Sequence, residues 1–312
     1  MTLRLLALAF AVAASAMIGL ASADPIFPKG SRVGLEPPPG MSLSQRFPGY
    51  EDTAKKAAIT ISELPLRAYE SVQQSFFNSA PPGVTIDSRE MLPFANGIGF
   101  LMTGTVTVNG ALLHKWFLLA QAVGGPDFDF VAMINVEVPD TATASYPDKV
   151  IRDALSTVTF RPSPTAELMA MLPYKLSELS GFRIMQVIPP GAAIITDGPT
   201  SDLTRQPYMI ISAGPGSAGS ADDRARAART MLDSVPLQDL RITSTEAMRL
   251  SNLPGYEIRA TANALGGAPV KLVQWVRFGA TGYMRIIGVG PAGDWDRLFD
   301  RFRSVRDGIE LR

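Results

Sequence analysis

The 312-residue sequence contains no cysteine and only one histidine, His114. The lack of cysteine excludes disulfide bonds, thiol nucleophiles and cysteine-ligated metal, so the fold has to be stabilised by packing alone. With a single histidine, any serine–histidine relay or histidine-based metal site would have to use His114. We therefore expect no bound metal and no cofactor.

The chain also lacks an excess of charge of either sign. It has 29 basic and 29 acidic residues. Removing residues 1–23, which contain one arginine and no acidic residue, would leave a net charge of −1. This balance creates no field that would attract a polyanion. We expect no nucleic-acid partner.

Long apolar runs are confined to the N-terminus. Arg4 is followed by a run from Leu5 to Leu20 and by the small residues Ala21–Ala23, ahead of Asp24. A basic residue, an apolar stretch and an A-x-A ending are the parts of a secretory signal. We predict that residues 1–23 are a cleaved signal peptide and that the mature protein is periplasmic or secreted, with no transmembrane anchor. An uncleaved anchor is the alternative, because a run of about 16 residues lies just under the usual spanning length of roughly 17–25.

The mature sequence contains an internal repeat. The segment Val84–Leu92 aligns with Leu240–Met248 without a gap, so that Ile86, Ser88 and Glu90 match Ile242, Ser244 and Glu246. Further matches follow in the same order: Pro38–Gly40 with Pro189–Gly191, Ile59–Ser62 and Pro65 with Met209–Ser212 and Pro215, Trp116 with Trp275, and Leu155–Val158 with Phe302–Val305. Because matches in a fixed order indicate a duplication, we predict two copies, residues 24–161 and 162–312, linked at Arg161–Thr165.

Each copy predicts the same α+β layout. A short strand precedes a helix, which is followed by consecutive β-runs with Gly-containing turns such as Asn109–Gly110 and then by a closing helix. Consecutive runs with short turns are typical of an antiparallel meander, and helices before and after it would cover its faces. The expected fold is two tandem copies of an antiparallel sheet flanked by helices, an α/β/α sandwich.

This layout resembles the PsbP and DcrB-like superfamily. The shared features are an early Pro-Pro-Gly turn, a first helix after a short strand, a meander, and a terminal helix ending in a Ser-x-Val-like stretch, here Ser156–Val158 and Ser304–Val305. The resemblance covers most of each copy and implies an α/β/α sandwich and a non-catalytic accessory or binding role. It assigns no site residue, because no position of this chain matches a family site.

A glycine motif suggests a nucleotide site at first. Gly214–Gly219 fits G-x-G-x-x-G between a predicted strand and a predicted helix, as a dinucleotide fingerprint requires. However, the acidic residue about 20 positions on is Asp239, which begins a strand instead of ending one. Pro215 removes a backbone N–H, and the first copy has Glu63–Leu66 in this place. We interpret the motif as a flexible turn entering a helix.

Three side chains are the candidates for catalysis. His114 alternates with Trp116 along one strand face, and the repeat places Val273 at its position in the second copy; a packed or strand-edge histidine is the structural alternative. Glu90 and Glu246 are matched carboxylates that could perform acid–base chemistry as a pair. Their structural alternative is a pair of solvated charges at the ends of strands.

These observations favour an exported, non-catalytic binding or accessory protein of the cell envelope, with an envelope protein or a small ligand as its partner. The alternative is an exported hydrolase with a site in the cleft between the two copies, built from His114, Glu90 or Glu246. An enzyme would bring polar groups together in one pocket, whereas a binding protein would present an apolar patch or groove.

Overall fold

The computed structural model describes residues 24–78, 83–95, 97–122, 128–200 and 202–312. The predicted signal peptide, residues 1–23, lies outside these ranges. Within them, internal contacts divide the chain into two compact units. Copy one consists of residues 24–28 and Val33–Phe160, and copy two consists of Lys29–Arg32 and Arg161–Arg312. The four residues Lys29–Arg32 therefore pack with the second unit, where Arg161 Nε donates to the Ser31 carbonyl.

Copy one is a seven-stranded antiparallel sheet with a separate two-stranded ribbon. The strands of the sheet lie in the order β2-β3-β4-β8-β7-β6-β5, and β1 pairs with β9. The elements are β1 Val33–Gly34, β2 Ser42–Leu43, β3 Gly49–Asp52, β4 Ala57–Pro65, α1 Tyr69–Asn78, β5 Val84–Phe94, β6 Gly97–Val108, β7 Ala111–Gln121, β8 Phe130–Pro139, α2 Asp148–Ser156 and β9 Thr159–Phe160.

Copy two has the same plan. Its sheet runs β11-β12-β13-β17-β16-β15-β14, and β10 pairs with β18. The elements are α3 Thr165–Ala170, β10 Tyr174–Leu176, β11 Arg183–Ile188, β12 Ala192–Thr196, β13 Tyr208–Pro215, α4 Ala221–Leu232, β14 Gln238–Leu250, β15 Leu253–Asn263, β16 Pro269–Phe278, β17 Gly282–Pro291, α5 Trp295–Asp307 and β18 Ile309–Leu311. In the described part of the chain, no helix has the length and apolarity needed to span a bilayer.

The predicted fold class is confirmed, since each copy is an antiparallel sheet with helices on both faces. The closing segments bury the same pattern against the same sheet face. In copy one it consists of Ile151 and Leu155 on α2 and Val158 just after it, and in copy two of Leu298, Phe302 and Val305 on α5. All six side chains are fully buried, and each large apolar side chain removed from water contributes about 1.5–3 kcal/mol. The opposite faces contact α1 in copy one and α4 in copy two.

The strand pairing confirms the match of the I-x-S-x-E segments. In copy one the register shifts between Ile86 and Ser88, so Asp87 is an extra residue on β5. In copy two the register shifts at the same place, between Ile242 and Ser244. A β-bulge inserts one residue into one strand of a pair. Two bulges at matched positions fix the alignment of the copies residue by residue.

The same alignment shows that the residue-for-residue match of the tryptophans was wrong. Ile59 on β4 pairs with Val136, which pairs with Trp116 on β7. The equivalent path in copy two runs from Met209 through Gly288 to Val273. Trp116 is therefore equivalent to Val273. A sequence match cannot detect this shift of two residues, because it leaves both rings on the same sheet face.

Two further expectations change with this register. Trp275 is equivalent to Leu118, and the counterpart of His114 is Lys271, not Val273. The Pro-Pro-Gly match is also wrong. Pro38–Gly40 precedes β2, whereas Pro189–Gly191 joins β11 to β12, a turn whose counterpart in copy one is the β2–β3 connection.

An aspartate at the end of β3 makes part of the stability of copy one dependent on pH. The hydroxyl of Tyr146 donates to Asp52 Oδ2 over 2.7 Å, and the backbone N–H of Lys55 donates to Oδ1 over 3.1 Å. These hydrogen bonds hold the pKa of Asp52 at about 2, against the effect of burial, which raises it. Since unfolded aspartate has a pKa of about 3.9, the ionised carboxylate stabilises the fold above about pH 4.

We expect this stabilisation to disappear as the pH falls from about 4 towards 2, because the unfolded state then takes up a proton that the folded state does not. The measurement is the urea unfolding midpoint of the wild type and of Asp52→Asn from pH 2 to 6. The difference between the two proteins should be constant above pH 4.5 and narrow below it. A difference that does not depend on pH would contradict the assignment.

Candidate functional site

The single histidine lies on β7 of copy one, partly exposed. Its Nε2 is 3.0 Å from Asp140 Oδ1, and its ring centroid is 6.5 Å from that of Trp116. The predicted sharing of one face by His114 and Trp116 is therefore observed. Asp140 is itself mostly exposed, so this pair lies on the surface of the sheet.

The two matched glutamates have different surroundings. Glu90 accepts from the Arg152 guanidinium over 2.9 Å, and Arg152 also binds Asp148 on the same helix. Glu246 is exposed and lies opposite Glu257 on β15. The spacing of the closing helices places Phe299 of copy two where copy one has Arg152, so Glu246 has no equivalent guanidinium beside it.

Aromatic side chains replace this ion-pair network in copy two. The indole Nε1 of Trp275 donates to the buried carboxylate of Glu257 over 2.6 Å. Arg259 also donates to Glu257, and its guanidinium carbon lies 4.3 Å from the ring centroid of Phe299. The ring of Phe299 in turn contacts Trp295. Both networks tie the closing helix to the sheet and explain these polar residues as structural.

The glycine motif forms the end of β13 and the entry to α4. Gly216 N donates to the Thr281 carbonyl over 3.1 Å. Ser220 caps α4 by accepting from Asp223 N, and the Asp223 carboxylate accepts from Ser220 N in return. This capping box satisfies donors at the helix start that an anion would otherwise bind. Among the residues described here, no group of three or more histidines, aspartates or glutamates could hold a metal ion.

The candidate site is a pocket of about 550 Å³ in copy two. Its walls are the β10–β18 ribbon, the β11–β12 turn, the end of β13 and the β16–β17 hairpin. Most of the lining is apolar, with side chains such as Met171, Leu253, Tyr283, Met284 and Leu311. None of His114, Glu90 and Glu246 is part of the walls.

Arg277 is the one charged side chain among the described lining residues. It is only 6% exposed, and its Nη2 donates to the Met284 thioether over 3.5 Å. Within the described chain it forms no ion pair. Burial lowers the pKa of Arg277 below its ordinary value. A thioether is a weak acceptor. The other guanidinium nitrogens have no oxygen partner among the described residues, and they are not sealed from solvent.

Arg285 on β17 is half-buried, and its guanidinium is fully engaged with oxygen acceptors. Arg285 donates to Gln274 Oε1 over 2.8 Å, to Ser234 Oγ over 3.0 Å and to the carbonyl of Met231. Three oxygen acceptors therefore compensate its loss of water. Arg277 has no such set among the described residues, so its remaining donors are available to solvent or to a ligand.

Copy one differs at two of the positions that line this pocket in copy two. The register makes Arg277 equivalent to Ala120, and Gly282 equivalent to Phe130, since Pro65 pairs with Phe130 as Pro215 pairs with Gly282. Phe130 packs edge-to-face against Phe160 at a centroid distance of 5.5 Å. Copy one therefore has neither the arginine nor the glycine that line the pocket of copy two.

A second pocket, of about 380 Å³, lies at the other end of the same sheet. Its walls include the loop before β13, the start of β13 at Tyr208, the α4–β14 connection and the β15–β16 turn. Arg205 is the only charged residue of its described lining. It is separate from the Arg277 pocket, with which it shares no lining residue.

Comparisons with known proteins find likeness only among solved structures. No family model and no curated protein matches the chain. LpqN of Mycobacterium tuberculosis, involved in cell envelope biogenesis, is 12% identical over 44% of this chain and 82% of its own, with a TM-score of 0.34. Cyanobacterial PsbP from Synechocystis sp. PCC 6803 is 16% identical over 45% and 87%, with a TM-score of 0.33.

Several similar structures span both copies. One of them is the immunity protein TplEi of Pseudomonas aeruginosa in complex with a peptide, which is 9% identical over 93% of this chain and 99% of its own, with a TM-score of 0.29. The similar structures thus include envelope-associated and immunity proteins. At these TM-scores they carry no argument about what this chain binds, which has to come from its own site.

Sequence reasoning missed Arg277 altogether. In Lys271–Phe278 it is an ordinary polar residue near the end of a strand. The sequence does contain one indication of its role. Arg277 follows Val273 and Trp275 at alternate positions of the strand, so it lies on the same, buried face of the sheet. Comparison with Ala120 becomes possible only after the two-residue shift in β7 is known.

Proposed function

We propose that the chain is an exported, non-catalytic binding protein of the cell envelope, with residues 24–161 and 162–312 as its two domains. Its ligand site is the Arg277 pocket of copy two, and the ligand is small and anionic. The observation that carries this proposal is a buried guanidinium, without an oxygen partner among the described residues, in the wall of a pocket of about 550 Å³.

The size and lining of the pocket support binding. Small-molecule sites typically measure about 300–1,000 Å³ and combine an apolar lining with a few polar groups that orient the ligand. The described lining includes Arg277 and Tyr283 but no histidine, aspartate, glutamate or lysine. General acid–base catalysis most often relies on such groups, so this lining suits recognition of a charge better than a reaction.

The difference between the copies also supports binding. The same scaffold in copy one has Ala120 and Phe130 in its core at the equivalent positions, so the fold itself does not need the arginine. Replacing a buried charge by an apolar side chain of similar volume is often neutral or stabilising. Residues that lower stability without contributing to the fold are typical of functional sites.

The test is the substitution Arg277→Met, with 1-anilinonaphthalene-8-sulfonate, an anionic aromatic dye, as the probe. A hydrogen bond to a charged group contributes about 1.5–3 kcal/mol, so we expect the dissociation constant of the dye to rise about 10- to 100-fold. The melting temperature of the ligand-free protein should stay the same or increase. Fluorescence titration and thermal unfolding measure the two effects.

The matched control is Lys271→Met, which removes a positive charge from the same strand outside the pocket. It should leave the dye affinity unchanged. If Arg277→Met and Lys271→Met weaken the dye equally, or if the wild type binds no dye with a defined stoichiometry, the proposed site is wrong.

Export is tested separately by the mass of the mature protein. Cleavage after Ala23 would leave a chain that begins at Asp24, so the intact mass should equal that of residues 24–312. The protein should be isolated from periplasmic or culture-supernatant fractions. A chain that still begins at Met1 in those fractions would contradict the proposed signal peptide.

A further inference from the structure

We infer that the Arg277 pocket selects a monocarboxylate with an apolar body, such as a medium-chain fatty acid, over phosphate esters and neutral lipids. The inference rests on the proposed function and specifies the ligand of the same site. Three features of the pocket carry it: the charge of its lining, the hydrogen-bonding state of its main chain, and the apolar residues at its mouth.

The charge of the lining matches one negative charge. Arg277 is the one charged side chain among the described lining residues. A monoanion would pair with it and leave the pocket neutral, whereas a dianion would bring a second charge without a partner. Uncompensated charge is costly in an apolar environment. The planar guanidinium also binds a carboxylate through two parallel hydrogen bonds.

Several backbone N–H groups around the pocket are already hydrogen-bonded. Phosphate sites commonly use several free backbone N–H groups at a helix N-terminus or in a loop. Here Ala213 N donates to the Gly191 carbonyl, Gly279 N to the Gly282 carbonyl, and Gly216 N to the Thr281 carbonyl. These donors are therefore already used within the strands and turns that form the walls and rim.

The mouth of the pocket offers apolar surface for a hydrocarbon body. Met171 and Leu311 line it, and they are 37% and 55% exposed. Met284 contributes a second methionine next to the guanidinium. Methionine side chains adapt to irregular apolar shapes, so the site can accept chains of somewhat different form.

The experiment measures displacement of the bound anilinonaphthalene sulfonate by three compounds with the same tail: decanoate, decyl phosphate and decanol. At pH 8 decanoate carries one charge, decyl phosphate carries close to two because its second pKa is about 6, and decanol carries none. We expect decanoate to bind at least about 10-fold more tightly than either of the others, a single charge-assisted interaction being worth about that factor.

Two variants identify the source of the selectivity. In Arg277→Met, decanoate and decanol should displace the dye equally, because only the apolar contacts remain. In Arg277→Lys, which keeps the charge but loses the planar fork, the preference for decanoate over decanol should persist but shrink. Loss of decanoate binding in Lys271→Met as well would show that the effect is one of overall charge and would overturn the inference.

The outcomes distinguish a failure of the monocarboxylate inference from a failure of the proposed anion site. If the dye binds through Arg277 but decyl phosphate or decanol displaces it as well as decanoate does, the monocarboxylate inference is wrong and the anion site stands. If the dye does not depend on Arg277, the proposed function itself is wrong.

Discussion

Replacing Ala120 by arginine is expected to destabilise copy one by at least about 3–5 kcal/mol, the cost of an uncompensated buried charge. Ala120 is fully buried on the sheet face that packs Phe130 and Leu118. The new side chain would have to displace aromatic rings, which adds the strain of overpacking. Denaturant unfolding of the mature protein, followed by far-UV circular dichroism, measures the loss.

The matched control is the reverse change at the equivalent position, Arg277→Ala. Copy two already has a cavity there and an arginine without an oxygen partner among the described residues, so we expect its stability to change by less than about 1 kcal/mol or to increase. Equal losses from Ala120→Arg and Arg277→Ala would show that the two positions have similar surroundings. That result would contradict both the register and the interpretation of the pocket.

Truncating Trp275 to alanine is expected to cost copy two about 3–5 kcal/mol, the usual effect of removing a large buried aromatic side chain. Trp275 is fully buried, and its indole Nε1 binds the carboxylate of Glu257. Its ring also lies 4.8 Å from the guanidinium carbon of Arg306. The substitution would therefore leave a cavity and a buried carboxylate with one donor fewer. Urea unfolding measures the free energy.

Trp275→Phe separates packing from hydrogen bonding at this position. It keeps most of the ring but removes the indole N–H, so a loss of about 1–3 kcal/mol is expected, the cost of a buried polar group without its partner. A loss in Trp275→Ala of less than 1 kcal/mol would contradict the role of this residue as the anchor between sheet and helix.

The sequence was sufficient to predict the layout because the layout depends on local patterns. Alternating residues and Gly-containing turns identified the meander, and the I-x-S-x-E segments aligned its first strands correctly. The short strands β2, β3 and β12 and the one-turn-scale helix α3 were not predicted. With two to six residues each, they are too short to show a period, and their formation depends on pairing and packing with other segments.

The two wrong matches have a common physical cause. Tryptophans and Pro-Pro-Gly runs are conspicuous, but neither fixes register. A strand repeats its facing every two residues, so Trp116 and Trp275 share a face although they are two positions apart in the alignment. Proline and glycine mark turns wherever turns occur, and so Pro38–Gly40 and Pro189–Gly191 recur in different connections. Only the hydrogen-bonded partners distinguish these cases.

The site could not have been predicted for a related reason. Arg277 is the candidate because no oxygen acceptor among the described residues binds its guanidinium, and because Gly282 stands where copy one has Phe130. Both facts depend on residues far apart in sequence. The candidates that the sequence offered, His114, Glu90 and Glu246, were chosen for their chemistry alone, and the structure gives each of them local or solvent-exposed surroundings.

The matched bulges at Asp87 and Thr243 also affect how readily the outer strands of the two sheets can pair with another chain. Both lie on β5 and β14, the outermost strands of their sheets, which are 11 and 13 residues long. A long, flat outer strand is a template on which another chain can add by main-chain hydrogen bonding, the first step of aggregation. A bulge twists such a strand and interrupts its row of donors and acceptors. In a protein without disulfides, each copy therefore carries its own barrier to intermolecular β-pairing.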